Sequence, residues 1–460
     1  MIGLAALPLA AAFLAGLGVG IGAESGGFAL AAIIVSVPVS IAAALLLSGW
    51  LFAAAQSVRR SHSAFWIADK VAPLRLAVEA DAPTRIDIVH PQVDLTHFFG
   101  GFIAVFNLAR RLAERGHRVR VIALEGDPPA GWRERLAAYE GLASSIDRLE
   151  VVGARDRSRP IAASADDVLV ATHWTAAHVA AGALEDLRAD RFLYLIQEYE
   201  PLIFPASSAA AMARQSYDLP HAALFSSRLL RDWFADQAIG VFANGEDEAE
   251  RASAWFENAI TPVGPVPAAD LRRPGPRRLL FYARPETHAE RNLFEIGAMA
   301  VDAAIAEGHL AGWELFGIGT VERSERPLLL PHSGARLRLL PRQRQAEYAR
   351  ILRASDVGLA LMHTPHPSLV PIEMAAAGMP TVTSTFGNKG AAALARISPN
   401  LIAAEPTVAA VKAALARAER EADDLERRAH GSAVRWPRSW DEALSDELMA
   451  RVERLLGLRR

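Results

Sequence analysis

His366-Pro367-Ser368-Leu369-Val370-Pro371-Ile372-Glu373-Met374-Ala375-Ala376-Ala377-Gly378-Met379-Pro380-Thr381-Val382 is the stretch whose reading decides the fold. One carboxylate, Glu373, stands just inside an apolar, Ala-rich helix, and Pro371 sits two residues earlier, where a helix start tolerates it. Gly378 and Pro380 stop the helix, and Thr381-Val382-Thr383 resumes as a strand. An acid at a helix N-terminus beside a loop of small residues suits a pair of ribose hydroxyls better than a core. Taken alone, Glu373 also reads as a helix-start carboxylate held by the helix dipole, an effect of about 0.3–1 kcal/mol.

The same strand-and-helix alternation extends outward. Upstream, Arg278-Leu279-Leu280-Phe281-Tyr282, Trp313-Glu314-Leu315-Phe316-Gly317, Ala335-Arg336-Leu337-Arg338-Leu339 and Val357-Gly358-Leu359-Ala360-Leu361 read as strands, with helices over 293–306 and 345–354. Downstream, one long amphipathic helix is expected over 407–430. Further back, Pro262, Pro265, Pro267, Pro274 and Pro276 cluster in an interdomain linker. Before the linker an earlier α/β unit opens with Arg85-Ile86-Asp87-Ile88-Val89-His90, a Gly100-Gly101 turn, a helix over 102–115 and Val119-Arg120-Val121-Ile122-Ala123-Leu124. More strands follow at 149–152, 167–172, 192–196, 222–226 and 240–242. Two doubly wound α/β units place the default ligand site in the cleft between them, at the carboxyl ends of the strands.

The chain has 460 residues, a net charge of -3 and no cysteine. The balanced charge argues against bulk nucleic-acid binding, and the lack of cysteine excludes disulfides, Cys-ligated zinc and a Cys nucleophile. From Met1 to Val58 the only charged side chain is Glu24, between apolar runs at 2–23 and 28–55, each long enough to cross a bilayer. Arg59, Arg60, Lys70 and Arg75 follow, so the positive-inside rule puts the rest of the chain in the cytoplasm and makes the start a transmembrane helical hairpin. A single span is the competing reading.

Arg284 lies just past a strand end and Arg291 opens a helix; two cations there, with helix N–H groups, can clamp a diphosphate, with Asn292 adjacent. The bland reading is a pair of surface arginines. Gly100-Gly101 admits close approach of a phosphate or acceptor, or is a plain tight turn. His173 follows a buried strand and reads equally as a sugar ligand or as a hydrogen-bonded structural residue. Glu198 and Glu200 suit recognition of an acceptor sugar or are solvated loop acids. No Asp-x-Asp occurs, so metal-independent chemistry is expected, and no zinc spacing or Gly-x-Ser-x-Gly elbow appears.

The 366–382 stretch resembles the donor-sugar motif of retaining glycosyltransferases of family 4, Glu-x7-Glu followed shortly by Ala-x-Gly-x-Pro. The resemblance spans about residues 84–425. It implies an α/β GT-B fold, with two doubly wound Rossmann-like domains facing a cleft. Gln197-Glu198-Tyr199-Glu200-Pro201, His366-Pro367-Ser368 and Phe386-Gly387-Asn388-Lys389 look like segments of the rhamnosyltransferases within that family, which places Lys389, His366 and Ser368 near the donor. The family's first acid would fall at Pro365, so the contact it makes is absent or replaced. The implied roles are Arg284 and Arg291 on the diphosphate, Glu373 on the ribose and His173 on the sugar.

The resulting expectation is a metal-independent, cofactor-free transferase using a nucleotide sugar, dTDP-L-rhamnose foremost. It acts with retention on a glycan or lipid-linked glycan at the cytoplasmic face of the inner membrane. The expected segments are a hairpin at 1–58, a linker at 59–83, an acceptor domain at 84–261, a nucleotide-sugar domain at 277–430 and a helical tail at 431–460. A GT-B-fold epimerase and a non-catalytic membrane scaffold are the rivals.

Overall fold

A computed structural model describes residues 65–458, apart from 94–99, 138, 140, 144 and 321–326. The expected hairpin and the start of the expected linker lie outside the described residues, among which no helix is long and apolar enough to cross a membrane. Contacts divide the chain after Asp69, and the unit Lys70–Arg460 carries everything that follows.

A short parallel pair, β1 (Leu76–Val78) and β5 (Ile161–Ala163), stands apart from the two large sheets. The first large sheet holds β2 (Ile86–His90), β3 (Val119–Ala123), β4 (Leu149–Gly153), β6 (Val168–Ala171), β7 (Phe192–Ile196), β8 (His221–Phe225) and β9 (Ser253–Trp255). Its order is β4-β3-β2-β6-β7-β8-β9, parallel throughout. β2, β3, β7 and β8 are buried along their whole length, as strands covered on both faces must be. One face packs on the helix Gly100–Glu114, through Leu108 and Leu112; the other packs on the helices Trp174–Ala183 and Arg228–Asp236.

The second sheet holds β10 (Arg278–Tyr282), β11 (Glu314–Ile318), β12 (Leu328–Leu329), β13 (Arg336–Leu339), β14 (Val357–Leu359), β15 (Thr381–Ser384) and β16 (Leu401–Ala404). Its order is β12-β13-β11-β10-β14-β15-β16, and only β12 runs antiparallel. Helices Phe294–Ala306 and Val408–Glu421 cover one face; Gln345–Arg353, Leu369–Ala376 and Ala391–Ile397 cover the other. The strand order reverses between β2 and β6 in the first sheet and between β10 and β14 in the second. Loops leaving those strands open crevices, where ligands bind in such sheets.

Two expectations need correction, and the structure adds to others. Residues 240–242 form a 3-10 turn, because Gly240 takes φ +63, a left-handed conformation that no strand continues. The seventh strand is β9. The helix expected over 407–430 is two helices: Asp424 accepts from the Arg427 amide at 3.0 Å and caps a second one, Leu425–Ser432. β16, which periodicity did not single out, forms the buried edge Leu401–Ala404. The helical segment expected over 431–460 packs back on the first domain, where the helix Asp446–Leu455 inserts Met449 and Val452 into the core of the first sheet. The Pro-rich segment 261–276 is packed as well as connecting. Val263 is buried, its carbonyl accepts from Arg353 at 3.0 Å, and the Val266 amide donates to Ser432 at 2.8 Å.

Candidate functional site

After β10 the chain turns through Arg284, which is buried and held on three sides. Its guanidinium donates to Glu286 at 3.3 Å, to the Tyr282 hydroxyl at 3.4 Å and to His288 Nε2 at 2.9 Å. Glu286 is itself fixed by the Thr320 hydroxyl at 2.8 Å. Burial opposes the charge on Arg284, but Tyr282 and Glu286 outweigh it and hold the group above its ordinary value. The result is a rigid, permanent cation at a strand end.

Arg291 is half-buried. It donates to the His288 carbonyl at 3.3 Å, and its own carbonyl accepts from the His363 amide at 2.8 Å, so the β10 and β14 loops are joined. Its Nε is buried without a partner. Asn292 is buried, donating to the Ala289 carbonyl at 2.9 Å, while its Oδ1 has no partner. Arg291 is therefore the available second cation, and Asn292 is a neighbour facing inward.

Glu373 lies inside the helix Leu369–Ala376, beneath the loop. Its Oε1 accepts from the Thr261 amide at 2.9 Å and its Oε2 from the Tyr348 hydroxyl at 2.6 Å. Burial raises its pKa, and those two donors work against the shift. The Thr261 side chain bonds to the same carboxylate. Ser368, just before the helix, sits at φ +65, a strained conformation for a non-glycine residue, and its amide donates to His366 Nδ1 at 3.0 Å. Burial pulls the His366 ring pKa down to about 3, against a backbone hydrogen bond to Ser226, so the ring is neutral.

Lys389 follows β15 and is fully buried, donating to the carbonyls of Met362 at 2.6 Å and His366 at 3.3 Å. Burial pulls its pKa down to about 7, with Glu198 opposing. Glu198 belongs to the other sheet, on the loop after β7, and its Oε2 accepts from Thr364 at 3.2 Å. Lys389, Arg291, His366 and Glu198 thus meet across the two domains.

His173 caps the helix Trp174–Ala183. Its Nδ1 accepts from the Thr175 amide at 3.4 Å, which leaves the hydrogen on Nε2, 3.4 Å from Glu200 Oε1. Glu200 accepts from the Tyr194 hydroxyl at 2.8 Å, and burial pushes its pKa up to about 8. Burial also lowers the His173 pKa, so this contact joins two neutral groups rather than an ion pair. Neither Glu198 nor Glu200 is a solvated loop acid. Gly101 faces the Gln197 amide, which a Cβ would meet at 3.3 Å, so the glycine turn borders the same loop; Gly100 opens the helix. Sequence reasoning did not find Thr364, Tyr348, Thr261, Glu286 or Thr320. Thr364, Tyr348, Thr261 and Thr320 each act on a partner distant in the chain, while Glu286 stands two residues from Arg284, which it holds.

Two domain families match this architecture. The one described as WsaF, N-terminal domain, covers residues 85–228, and the one described as WsaF, C-terminal domain, covers 277–416. Both halves of the chain are WsaF-like. The O-antigen biosynthesis protein RfbC of Myxococcus xanthus is 30% identical over 335 residues, which is 69% of this chain and 23% of that protein. The chain therefore spans less than a quarter of that relative's length. The crystal structure of Anabaena HepE in complex with UDP-glucose shares the fold, with a TM-score of 0.52 and 13% identity over 82% of this chain and 100% of that one. HepE in complex with UDP gives 0.51 and 12% over the same shares. The WsaF-like halves correspond to the two facing sheets, in the GT-B arrangement.

Proposed function

We propose that the chain is a glycosyltransferase of surface-polysaccharide synthesis that binds a nucleotide sugar in the cleft between its two sheets. The observation that carries this reading is the meeting of Arg291, Thr364 and Lys389, on loops of the second sheet, with Glu198 of the first. The WsaF-like halves, the O-antigen biosynthesis relative and the fold shared with a UDP-glucose-binding protein support it.

In this reading Arg284 and Arg291 hold the diphosphate and offset the charge that grows on it as the glycosidic bond breaks, the main electrostatic demand of the reaction. Glu373 receives the ribose hydroxyls. His173, neutral and donating from Nε2, is suited to a sugar hydroxyl rather than to proton transfer. No carboxylate is assigned as a nucleophile. We take the reaction to proceed with retention by attack on the face the leaving group departs from, a leaving phosphate oxygen accepting the acceptor's proton. We take the donor to be dTDP-L-rhamnose, without a metal, and the acceptor to be a lipid-linked glycan at the cytoplasmic face of the membrane carrying residues 1–58. Family-4 membership and the rhamnosyl subgroup rest on the motifs in 197–201, 366–382 and 386–389.

The test is thermal stabilisation of the full-length chain by dTDP, UDP, GDP, ADP and their sugars, with Glu373→Ala and Arg284→Ala alongside. Ligand at about 100 times its dissociation constant adds roughly 2.7 kcal/mol. A shift with dTDP or its rhamnoside that both variants lose is the expected result. No shift with any nucleotide would sink the reading. Conversion of the sugar in donor alone would point to an epimerase.

A further inference from the structure

We infer that Glu198, although carried by the first sheet, binds the sugar of the nucleotide-sugar donor held by the second; this rests on the glycosyltransferase reading above. Its carboxylate is committed to the far side of the cleft. Oε2 accepts from the Thr364 hydroxyl at 3.2 Å, while Oε1 accepts only from the adjacent Tyr199 amide at 3.2 Å. The two cations acting on its charge, Arg291 and Lys389, both belong to the second sheet's loops.

The surroundings lack partners in a pattern that describes a ligand. Lys389 spends two of its three N–H donors on the Met362 and His366 carbonyls. Asn292 Oδ1 is more than nine-tenths buried and has no partner among the described residues. Buried polar atoms are almost always hydrogen-bonded, so such an orphan marks a place where a bound molecule completes the set. The set mixes a carboxyl group, a lysine donor and an amide oxygen. A phosphate would be repelled by Glu198. A hydroxyl-rich, uncharged group, each hydroxyl both donating and accepting, satisfies all of them. With the diphosphate placed at Arg284 and Arg291, that group is the donor's sugar.

Full-length wild-type, Glu198→Gln and Glu198→Ala chains would be compared in two assays. One is thermal stabilisation by dTDP and UDP. The other is hydrolysis of dTDP-L-rhamnose and UDP-glucose without acceptor, repeated with acceptor present. Both variants should keep the nucleotide-induced shift and lose at least about tenfold in donor kcat/KM, Ala more than Gln, the loss expected for a charged hydrogen bond. Glu198→Gln is isosteric and guards against misfolding of the Ala variant. Unchanged donor hydrolysis with a raised acceptor KM would overturn the inference and put Glu198 on the acceptor. Parallel loss of nucleotide binding and turnover would reduce it to a latch between domains and overturn it too. A wild-type chain that no nucleotide stabilises would remove the glycosyltransferase reading itself.

Discussion

Glu200 is a carboxylic acid kept neutral by its surroundings. It is 8% exposed, bonded to the Tyr194 hydroxyl, and its amide donates to the Tyr217 hydroxyl at 3.0 Å. Burial raises its pKa from 4.5 to about 8. The unfolded chain ionises near 4.5 while the folded chain holds the proton, so the folded state binds more protons between those values. The contribution of Glu200 to stability therefore falls as pH rises from about 4.5 to about 8 and is level beyond. Glu200→Gln keeps the shape without the ionisation. Urea midpoints at pH 5 and pH 8.5 should fall for wild type and change far less for the variant; parallel falls would refute the assignment. In the sequence, Glu200 and Glu198 look alike, as paired acids in one loop. Only their partners separate a carboxyl beside His173 from one that Thr364, Arg291 and Lys389 act on.

At the scale of elements, the segment after β15 is the bridge to the first sheet. Asn388 donates to the Leu229 carbonyl at 2.9 Å, and the Trp233 ring lies 6.3 Å from Phe386 and 4.6 Å from Tyr199. Gly387 takes φ +50 with Trp233 so near that a Cβ would stand 2.9 Å from its ring, so both its conformation and its size are dictated there. Trp233→Ala removes the apolar contact that seats this loop and should lower stability by about 1–2 kcal/mol. It should also weaken donor turnover through Lys389. Urea unfolding with donor kcat/KM measured in parallel checks both, and an unchanged melt with unchanged turnover would show that the loop is seated without it. The loop's sequence, Phe386-Gly387-Asn388-Lys389, was legible as a site segment by resemblance alone. That its asparagine is spent on the opposite domain was not, since Leu229 is 159 positions away.

Across the whole molecule the chain crosses between domains twice, and the second crossing is clamped by charge. Glu453 of the returning helix accepts from Arg115 at 2.7 and 2.9 Å and from His117 at 2.9 Å. The Arg115 bonds lead in pulling the Glu453 pKa down from 4.5 to about 2. A depressed carboxylate pKa means stability that is present above about 4.5 and is lost as pH falls toward about 2. Glu453→Ala should cost about 2 kcal/mol at pH 7, and the gap from wild type should narrow at pH 3. Urea melts at the two pH values read this directly, and an equal gap at both would show that packing, not charge, holds the helix.

Most of the long buried strands, their order of appearance and the linker were legible in the sequence itself. Buried parallel strands are short apolar runs bounded by glycine and proline, and that pattern is local. The loops that carry Arg284, His173, His366 and Lys389 were legible for the same reason, because each begins where such a run ends. The tertiary structure alone decided what each polar group meets. Glu373 bonds to Thr261, 112 positions away, Glu198 to Thr364, 166 away, and Arg115 to Glu453, 338 away. Periodicity reports which face of an element is buried. It carries no record of which distant loop packs opposite, and the charge state of a carboxylate depends on that packing.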